Sequence, residues 1–367
     1  MDNEQQVLRE LAEIRSAEGA LVSLHLDTDG RRRPRLSDLE SAAAGALREL
    51  EHEVDLHPPG DRAAANDAVA HVRASLEERL DHAGHGLALF AWPEGLLRRV
   101  ELPRATPDRT TIGPAAELRP LAAQAFDDRA LAVLVDRAGA RLAPFAAGRL
   151  GKEERLDDEL PRRVDDDDGG GRAGGFARQI DEAAERHLRR VAAATSDMAA
   201  KHNARVVLCA GPDEAVAELT RLLSANAAPG LRRVRLAADA PRSEIELAVA
   251  ATVDELERER IAALSEQLHA ESEAGRAALG LAAILRLLNE RRAAQVLIER
   301  SYAHEGVHCW GCGWLGLRGE VCPACSRPLG PVADVAPLLV ATAIAQHTQV
   351  DEAPPDAPIH LGALARW

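Results

Sequence analysis

Four cysteines have the spacing of a metal centre. They form two Cys-x-x-Cys pairs separated by nine residues, Cys309 with Cys312 and Cys322 with Cys325. Each pair can direct two thiolates at one metal ion while the amides of its turn donate to the sulfurs, and four thiolates suit tetrahedral zinc. Because four cysteines leave no coordination position for water, we expect a structural zinc site. A reduced, metal-free cluster or a redox pair is the less favoured alternative.

Two groups of arginines could contact nucleic-acid phosphate. The residues concerned are Arg31, Arg32, Arg33, Arg35, Arg178, Arg186, Arg189 and Arg190. Acidic residues outnumber basic ones by 59 to 45, which gives a net charge of −14. This charge excludes a non-specific nucleic-acid coat, because phosphate binding depends on clustered cations. Any RNA contact must come from local patches such as these two, although a solvated helix face or a basic loop is the favoured interpretation for any single arginine.

Segments that alternate between strand-like and helix-like patterns surround these residues. A chain of 367 residues is long enough for two or three domains. We predict three: an N-terminal α/β domain at 1–127, a middle α/β domain at 128–270, and a C-terminal α/β domain at 271–367. The C-terminal domain carries a zinc ribbon at 308–326. Strands that alternate with helices predict a wound α/β sheet.

Two stretches lack apolar periodicity and predict no regular structure. Residues Pro103–Pro120 are rich in Pro, Thr and Asp and predict a link. The polar stretch Gly151–Ala173 includes the acidic run Asp165–Asp168 and predicts a mobile loop. The glycine loop of the middle domain is expected at 165–175, which overlaps the end of this stretch. A strand is expected beyond this loop at Val234–Leu236.

The order and spacing of these segments resemble a known superfamily. It comprises the archaeal and eukaryotic class-I peptide chain release factors, their relative Pelota, and the bacterial proteins similar to them. The segments that carry the resemblance are Val22–Asp27, Leu131–Leu142, Arg172–Ala192, Arg205–Val216, Ala278–Ile298 and Leu361–Trp367. The resemblance implies an α/β fold class, with three release-factor-like domains, mixed sheets flanked by helices, and a small zinc ribbon in the third domain.

The resemblance also implies a candidate catalytic loop. In that family the middle-domain loop carries Gly-Gly-Gln, enters the peptidyl-transferase centre and helps water to attack the peptidyl-tRNA ester. The matching residues here are Gly174, Gly175 and Phe176, and the first glutamine downstream is Gln179. Gly174, Gly175 and Gln179 are therefore the candidate catalytic residues, although a helix-surface role is favoured for Gln179 because polar helix residues are mostly exposed. The family's stop-codon motif, Asn-Ile-Lys-Ser, has no counterpart in the sequence.

The implied function is that of a ribosome-associated factor at the A site, with the ribosome, ribosomal RNA and tRNA as partners. The resemblance also allows a translational GTPase as a partner. Rescue or release with peptidyl-tRNA hydrolysis is one hypothesis, and a non-catalytic hibernation or protective factor is the alternative. A zinc-ribbon protein that makes protein contacts outside translation is a third. Whether the protein is an enzyme therefore stays open.

The sequence gives no indication of a membrane protein. No apolar run reaches the roughly 20 residues that span a bilayer, and the charged first helix does not resemble a signal peptide. We therefore expect a cytoplasmic protein.

Overall fold

The chain is a mixed α/β protein with two compact units. The computed structural model describes residues 2–82, 84–124, 128–159, 173–224 and 230–366. One unit, called the discontinuous unit below, combines Met1–Phe126 with Glu259–Trp367, and the middle unit is Asp127–Arg258. The α/β class is confirmed, and each of the three predicted segments carries its own sheet. The domain boundaries after residues 127 and 270 stay predictions.

The N-terminal part of the discontinuous unit is an antiparallel sheet with helices packed against it. In chain order its elements are α1 (Asp2–Glu13), β1 (Leu21–Asp27), α2 (Leu36–Leu56), α3 (Arg62–Glu78), β2 (Gly86–Trp92), β3 (Gly95–Leu102), β4 (Arg109–Gly113) and α4 (Arg119–Ala123). The strand order is β3-β2-β1-β4. Helix α2 packs on β1 through a stripe with a spacing of three or four residues, which places its members on one helix face. The stripe consists of Leu39, Ala43, Ala46, Leu50 and Val54.

The middle unit is built on a sheet with both parallel and antiparallel pairs. Its elements are β5 (Ala130–Val135), β6 (Gly139–Ala146), β7 (Arg149–Leu150), β8 (Glu154–Asp157), α5 (Ala173–Lys201), β9 (Val206–Ala210), α6 (Asp213–Ser224), β10 (Gly230–Arg233) and α7 (Arg242–Glu273). The order is β10-β9-β5-β6-β7, and β8 pairs with β6. Strands β5, β9 and β10 are parallel, as the alternation of strands and helices predicts. Residues of α7 belong to both units.

Two predictions for the middle unit are wrong in detail. Residues 154–157 lie in the stretch predicted to be a loop, but they form β8 and pair with β6. The strand is short and mostly exposed, so backbone pairing at a sheet edge stabilises it without an apolar pattern. The strand expected at Val234–Leu236 lies instead at Gly230–Arg233. Residues 160–172, which include the acidic run and most of the predicted glycine loop, are outside the described residues.

The C-terminal part of the discontinuous unit contains a second four-stranded sheet and a small ribbon. Its elements are β11 (Ala277–Leu279), α8 (Leu281–Asn289), β12 (Ala293–Glu299), β13 (Gly306–His308), β14 (Leu315–Gly316), β15 (Gly330–Val332), α9 (Ala336–Ala345), β16 (Gln349–Ala353) and β17 (Leu361–Ala365). The larger sheet has the order β11-β17-β12-β16, and the ribbon has the order β14-β13-β15. Helix α9 is buried along almost its whole length, so it forms the centre of this part of the core.

A buried ion pair joins the two parts of the discontinuous unit. The Glu117 and Arg119 side chains have 0% exposure, and Arg119 Nη2 lies 2.5 Å from Glu117 Oε2. Arg119 also donates to the carbonyl oxygens of Glu299 and Tyr302, over 3.3 and 2.7 Å. Burial disfavours the Glu117 carboxylate, but the hydrogen bond and charge of Arg119 and the charge of Arg109 lower its pKa to about 2. The pair is therefore ionised and fully paired, as a buried charge must be.

Candidate metal centre and nucleic-acid interface

The four cysteines meet at the ribbon. Their Sγ atoms all lie within 4.8 Å of one another, and the pairs Cys309–Cys325 and Cys312–Cys322 are 3.4 and 3.6 Å apart. Sulfurs around a tetrahedral zinc ion at about 2.3 Å are separated by about 3.8 Å. All four are free thiols. The cluster could therefore hold one metal ion with little rearrangement.

The electrostatics of the cluster favour a bound cation. Desolvation opposes ionisation of Cys309, but the amides of Gly311 and Cys312 and the thiol of Cys325 donate to its sulfur and lower its pKa to about 6. The amide of Trp314 favours the Cys312 thiolate, yet burial and the neighbouring cysteines raise the pKa of Cys312 to about 12. The neighbouring sulfurs therefore oppose ionisation of all four thiols together, and a divalent metal would offset that repulsion.

The ribbon is fixed to the core of the discontinuous unit. Asn289, at the end of α8, donates from Nδ2 to the Leu315 carbonyl over 2.7 Å, and its Oδ1 accepts from the Leu315 amide over 3.1 Å. Leu315 and Val332 belong to the same apolar cluster as α8 and α9. The Trp314 ring covers Gly316, where a Cβ atom would lie 2.3 Å from the ring. Trp314 therefore packs against the backbone of the ribbon. A metal ion bound by the four cysteines would have a structural role, because it would hold together a ribbon that is already fixed to the core.

The residues matched to the catalytic loop lie at the start of α5. Gly174 and Gly175 are in the first turn of this helix, which begins at Ala173. Gln179 is exposed on the same helix. This is the placement expected for a helix-surface residue, and a catalytic role for these three residues stays a prediction.

The predicted arginine surface on α5 is largely neutralised by acidic side chains. Arg178 lies 3.9 Å from Glu182, and Arg189 lies 2.5 Å from Glu185. Exposed pairs of this kind contribute little to stability, but they reduce the positive charge offered to a partner. Arg186 forms no ion pair within the described part of the chain, so it is the most available of these cations.

A histidine and an arginine of α5 share one carboxylate. His187 is buried, and its Nδ1 lies 2.8 Å from Oδ2 of Asp158, which also pairs with Arg190. The His187 hydrogen bond and the Arg190 charge lower the pKa of Asp158. The sequence predicts a satisfied interior histidine here. It gives no signal for Asp158, because that residue directly follows the edge strand β8, which the apolar pattern does not predict.

The arginine cluster after β1 makes internal contacts. Arg31 lies 2.7 Å from Asp29, Arg32 lies 3.4 Å from Asp27, and Arg33 pairs with Asp108. Arg35 is exposed before α2. These contacts stabilise the turn between β1 and α2, and the predicted RNA role of the cluster stays untested.

The comparison with known families confirms the predicted superfamily. The match of the middle segment to a release-factor family supports the resemblance to the archaeal and eukaryotic class-I release factors and Pelota. Residues 117–258 match the family described as bacterial archaeo-eukaryotic release factor family 10. No curated protein is significantly similar to the chain in sequence.

The solved structures that are similar to the chain are distant from it. The archaeal translation termination factor aRF1 is 16% identical, over 100% of this chain and 98% of its own, with a TM-score of 0.28. Pelota of Archaeoglobus fulgidus is 12% identical, over 77% of this chain and 79% of its own, with a TM-score of 0.40. At such scores we infer no activity from either protein. Within the described residues, no helix is long and apolar enough to cross a membrane.

Proposed function

We propose that this protein is a ribosome-associated, release-factor-like factor that acts at the A site, in rescue of stalled ribosomes or in release. The observation that carries the proposal is the match of residues 117–258 to a bacterial release-factor family. The position of Gly174 and Gly175 at the start of the 29-residue helix α5 supports it. Ribosomal RNA and tRNA are then the partners, with a translational GTPase as a further one. A ribosomal partner also implies a cytoplasmic location.

Zinc is the metal that we propose for the cysteine centre. Four thiolates at tetrahedral separation suit Zn²⁺, and the hydrogen bonds by which Asn289 fixes the ribbon to α8 support a structural role. The ion would offset the mutual repulsion of the thiolates and hold the two knuckles together. It has no part in peptidyl-tRNA chemistry in this proposal.

A non-catalytic occupant of the A site is the second candidate function. Two observations favour it: Phe176 stands where the family's glutamine would be, and Gln179 lies exposed on α5. A phenylalanine has no polar atom with which to position water. Such a protein would act as a hibernation or protective factor.

A pair of substitutions separates the two candidates. If the protein hydrolyses peptidyl-tRNA through Gln179, then Gln179→Ala should lower the rate by about 100-fold to 1,000-fold, as loss of one positioned polar group does. If it is non-catalytic, the parent should be inactive and Phe176→Gln should create activity. Release of labelled peptide from ribosomes loaded with peptidyl-tRNA measures both.

The matched control for this experiment is Gln267→Ala. Gln267 is also an exposed helical glutamine, but it lies on α7 in the discontinuous unit, so its substitution should leave the rate unchanged. If the parent protein hydrolyses peptidyl-tRNA and neither Gln179→Ala nor Phe176→Gln changes the rate, the placement of the catalytic loop is wrong.

A further inference from the structure

The outer part of the ribbon carries several of the exposed apolar side chains of the protein. Seven large apolar side chains are exposed among the described residues, and three of them lie between positions 310 and 321. They are Trp310, Leu317 and Val321, which are 40%, 39% and 59% exposed. A single exposed apolar residue needs no explanation, but a group of them on one small element indicates an interaction surface.

Trp310 is held at this surface by its neighbours in the ribbon. Its ring meets the His308 ring edge to face, with the centroids 4.5 Å apart. A Cβ atom on Gly330 would lie 2.7 Å from Trp310 Nε1, so the indole packs on the backbone of β15. Among the Trp, Tyr and Phe side chains that the structure describes, Trp310 is the exposed one, and its N–H has no acceptor there. An amphipathic ring of this kind is typical of a protein interface.

Two arginines border these apolar side chains. Arg318 directly follows Leu317, and Arg327 lies so close to Gly311 that a Cβ atom there would collide with it. Because Gly311 directly follows Trp310, the Arg327 side chain reaches the turn that carries the indole. Both arginines are exposed, and neither guanidinium forms an ion pair or a hydrogen bond within the described part of the chain. Each can therefore bind a carboxylate through two parallel hydrogen bonds.

The acidic groups of the ribbon leave these two arginines unpaired. Glu305 and Glu320 are exposed and lie beyond ion-pair distance of either guanidinium, and Asp334 accepts from the amides of His304 and Ala336. A zinc–thiolate centre would also be negative, but its sulfurs accept from backbone amides of the cysteine turns. The guanidinium donors are therefore available to an acceptor outside the chain. The name ribbon tip is used below for Trp310, Leu317, Arg318, Val321 and Arg327.

We infer that the ribbon tip binds an acidic segment of a partner protein that also carries an apolar anchor. Carboxylates of the segment accept from the two guanidiniums and from the indole N–H, and the anchor packs against the exposed apolar side chains. Tryptophan and arginine are among the residue types that contribute most binding energy at protein interfaces. Complementary charge also accelerates the encounter and selects the partner.

Single-stranded RNA fits this surface less well than an acidic protein segment. Proteins hold single strands with several aromatic rings along a basic groove, and the ribbon tip offers one exposed ring. Leu317 and Val321 would lie against a charged backbone without an apolar partner. The inference stands apart from the ribosomal function, because none of its observations comes from the match to a release-factor family.

The test uses the full-length protein and a library of short random peptides displayed on phage. Peptides that the parent protein selects should be rich in Asp and Glu and should contain a large apolar residue. One selected peptide is then synthesised with a fluorescent label, and fluorescence anisotropy gives its affinity. This affinity should fall between about 50 and 500 mM salt, because salt screens exposed charges.

Two double variants compare the ribbon tip with a matched surface elsewhere. The tip variant carries Trp310→Ala and Arg327→Gln, and it should bind the peptide about 10-fold to 100-fold more weakly than the parent. The control variant carries Leu56→Ala and Arg48→Gln and should bind like the parent. Leu56 is 73% exposed and Arg48 is exposed without an ion pair among the described residues. Both lie on α2, whose apolar stripe belongs to a core without ribbon residues.

Substitutions at Val321 separate lost binding from lost folding. The position is exposed, so neither a negative nor a positive side chain there should unfold the ribbon. Val321→Asp should bind the peptide at least about 10-fold more weakly than Val321→Lys, because an aspartate repels the carboxylates of an acidic segment. Equal affinities of these two variants would contradict charge complementarity at the tip.

Three further outcomes would overturn the inference: no enrichment of peptides, selection of basic peptides, or equal binding by the tip and control variants. Labelled single-stranded RNA is measured on the same proteins. If the parent binds this RNA, the tip variant does not, and peptide binding is the same in both, the ribbon tip is an RNA surface and the inference is wrong. No ribosome is present in these experiments, so their results are independent of the proposed A-site function.

Discussion

Protein purified without chelators should contain one equivalent of zinc, and the Cys322→Ser variant should contain none. Cys322 is buried, and its sulfur lies 3.6 Å from that of Cys312, so its loss opens a closed four-thiolate shell. Binding of structural zinc supplies about 10 to 16 kcal/mol in small peptides at neutral pH, and that energy is also folding energy. Elemental analysis measures the metal, and fluorescence of Trp310 and Trp314 reports the local structure.

The fifth cysteine provides the control for the metal site. Cys209 is buried in β9, and burial raises the pKa of its thiol to about 11, so Cys209→Ala should retain the full equivalent of zinc. The N-terminal sheet and the middle sheet should stay folded in Cys322→Ser, since each has an apolar core that contains no ribbon residue. Parent protein without zinc, or Cys322→Ser with a full equivalent, would contradict the zinc assignment.

The Arg119→Met variant should lower the free energy of unfolding of the discontinuous unit by about 3 to 5 kcal/mol, because it leaves the Glu117 carboxylate buried without its main partner. It also removes the hydrogen bonds to the carbonyls of Glu299 and Tyr302. All four tryptophans of the chain lie outside residues 127–258, so urea unfolding followed by tryptophan fluorescence reports this unit alone.

Two companion variants show whether the cost comes from the buried charge. Arg98→Met removes an ion pair with Glu10 whose side chains are 49% and 42% exposed, and it should lower the free energy of unfolding far less than Arg119→Met, because solvent screens an exposed pair. Glu117→Leu combined with Arg119→Met replaces both charges with apolar groups and should be more stable than Arg119→Met alone. If Arg119→Met unfolds no more easily than Arg98→Met, the pair does not hold the unit together.

The sequence predicts best those features that depend on local spacing. The cysteine cluster follows from two turns with fixed spacing, and the long helix α5 follows from its apolar stripe. The parallel pairing of β5 with β9 follows from the helix between them. The cysteine turns and the helix depend on residues close together in the chain, and the strand pairing follows from the order of the elements.

Features that depend on distant contacts escape the sequence pattern. Strand β4 lies in the stretch predicted as a link, and strand β8 in the stretch predicted as a loop, because backbone pairing at a sheet edge needs no apolar alternation. The partners of Arg119 lie 180 and 183 residues away. The ion pairs that neutralise much of the predicted arginine surface could not be foreseen from the cation count alone.

Binding to ribosomes with a vacant or an occupied A site tests the central claim most directly. The parent protein should pellet with vacant 70S ribosomes, more weakly as salt rises, and tRNA in the A site should prevent its binding. Absence from the ribosome pellet at every salt concentration, or binding that A-site tRNA does not change, would contradict an A-site factor.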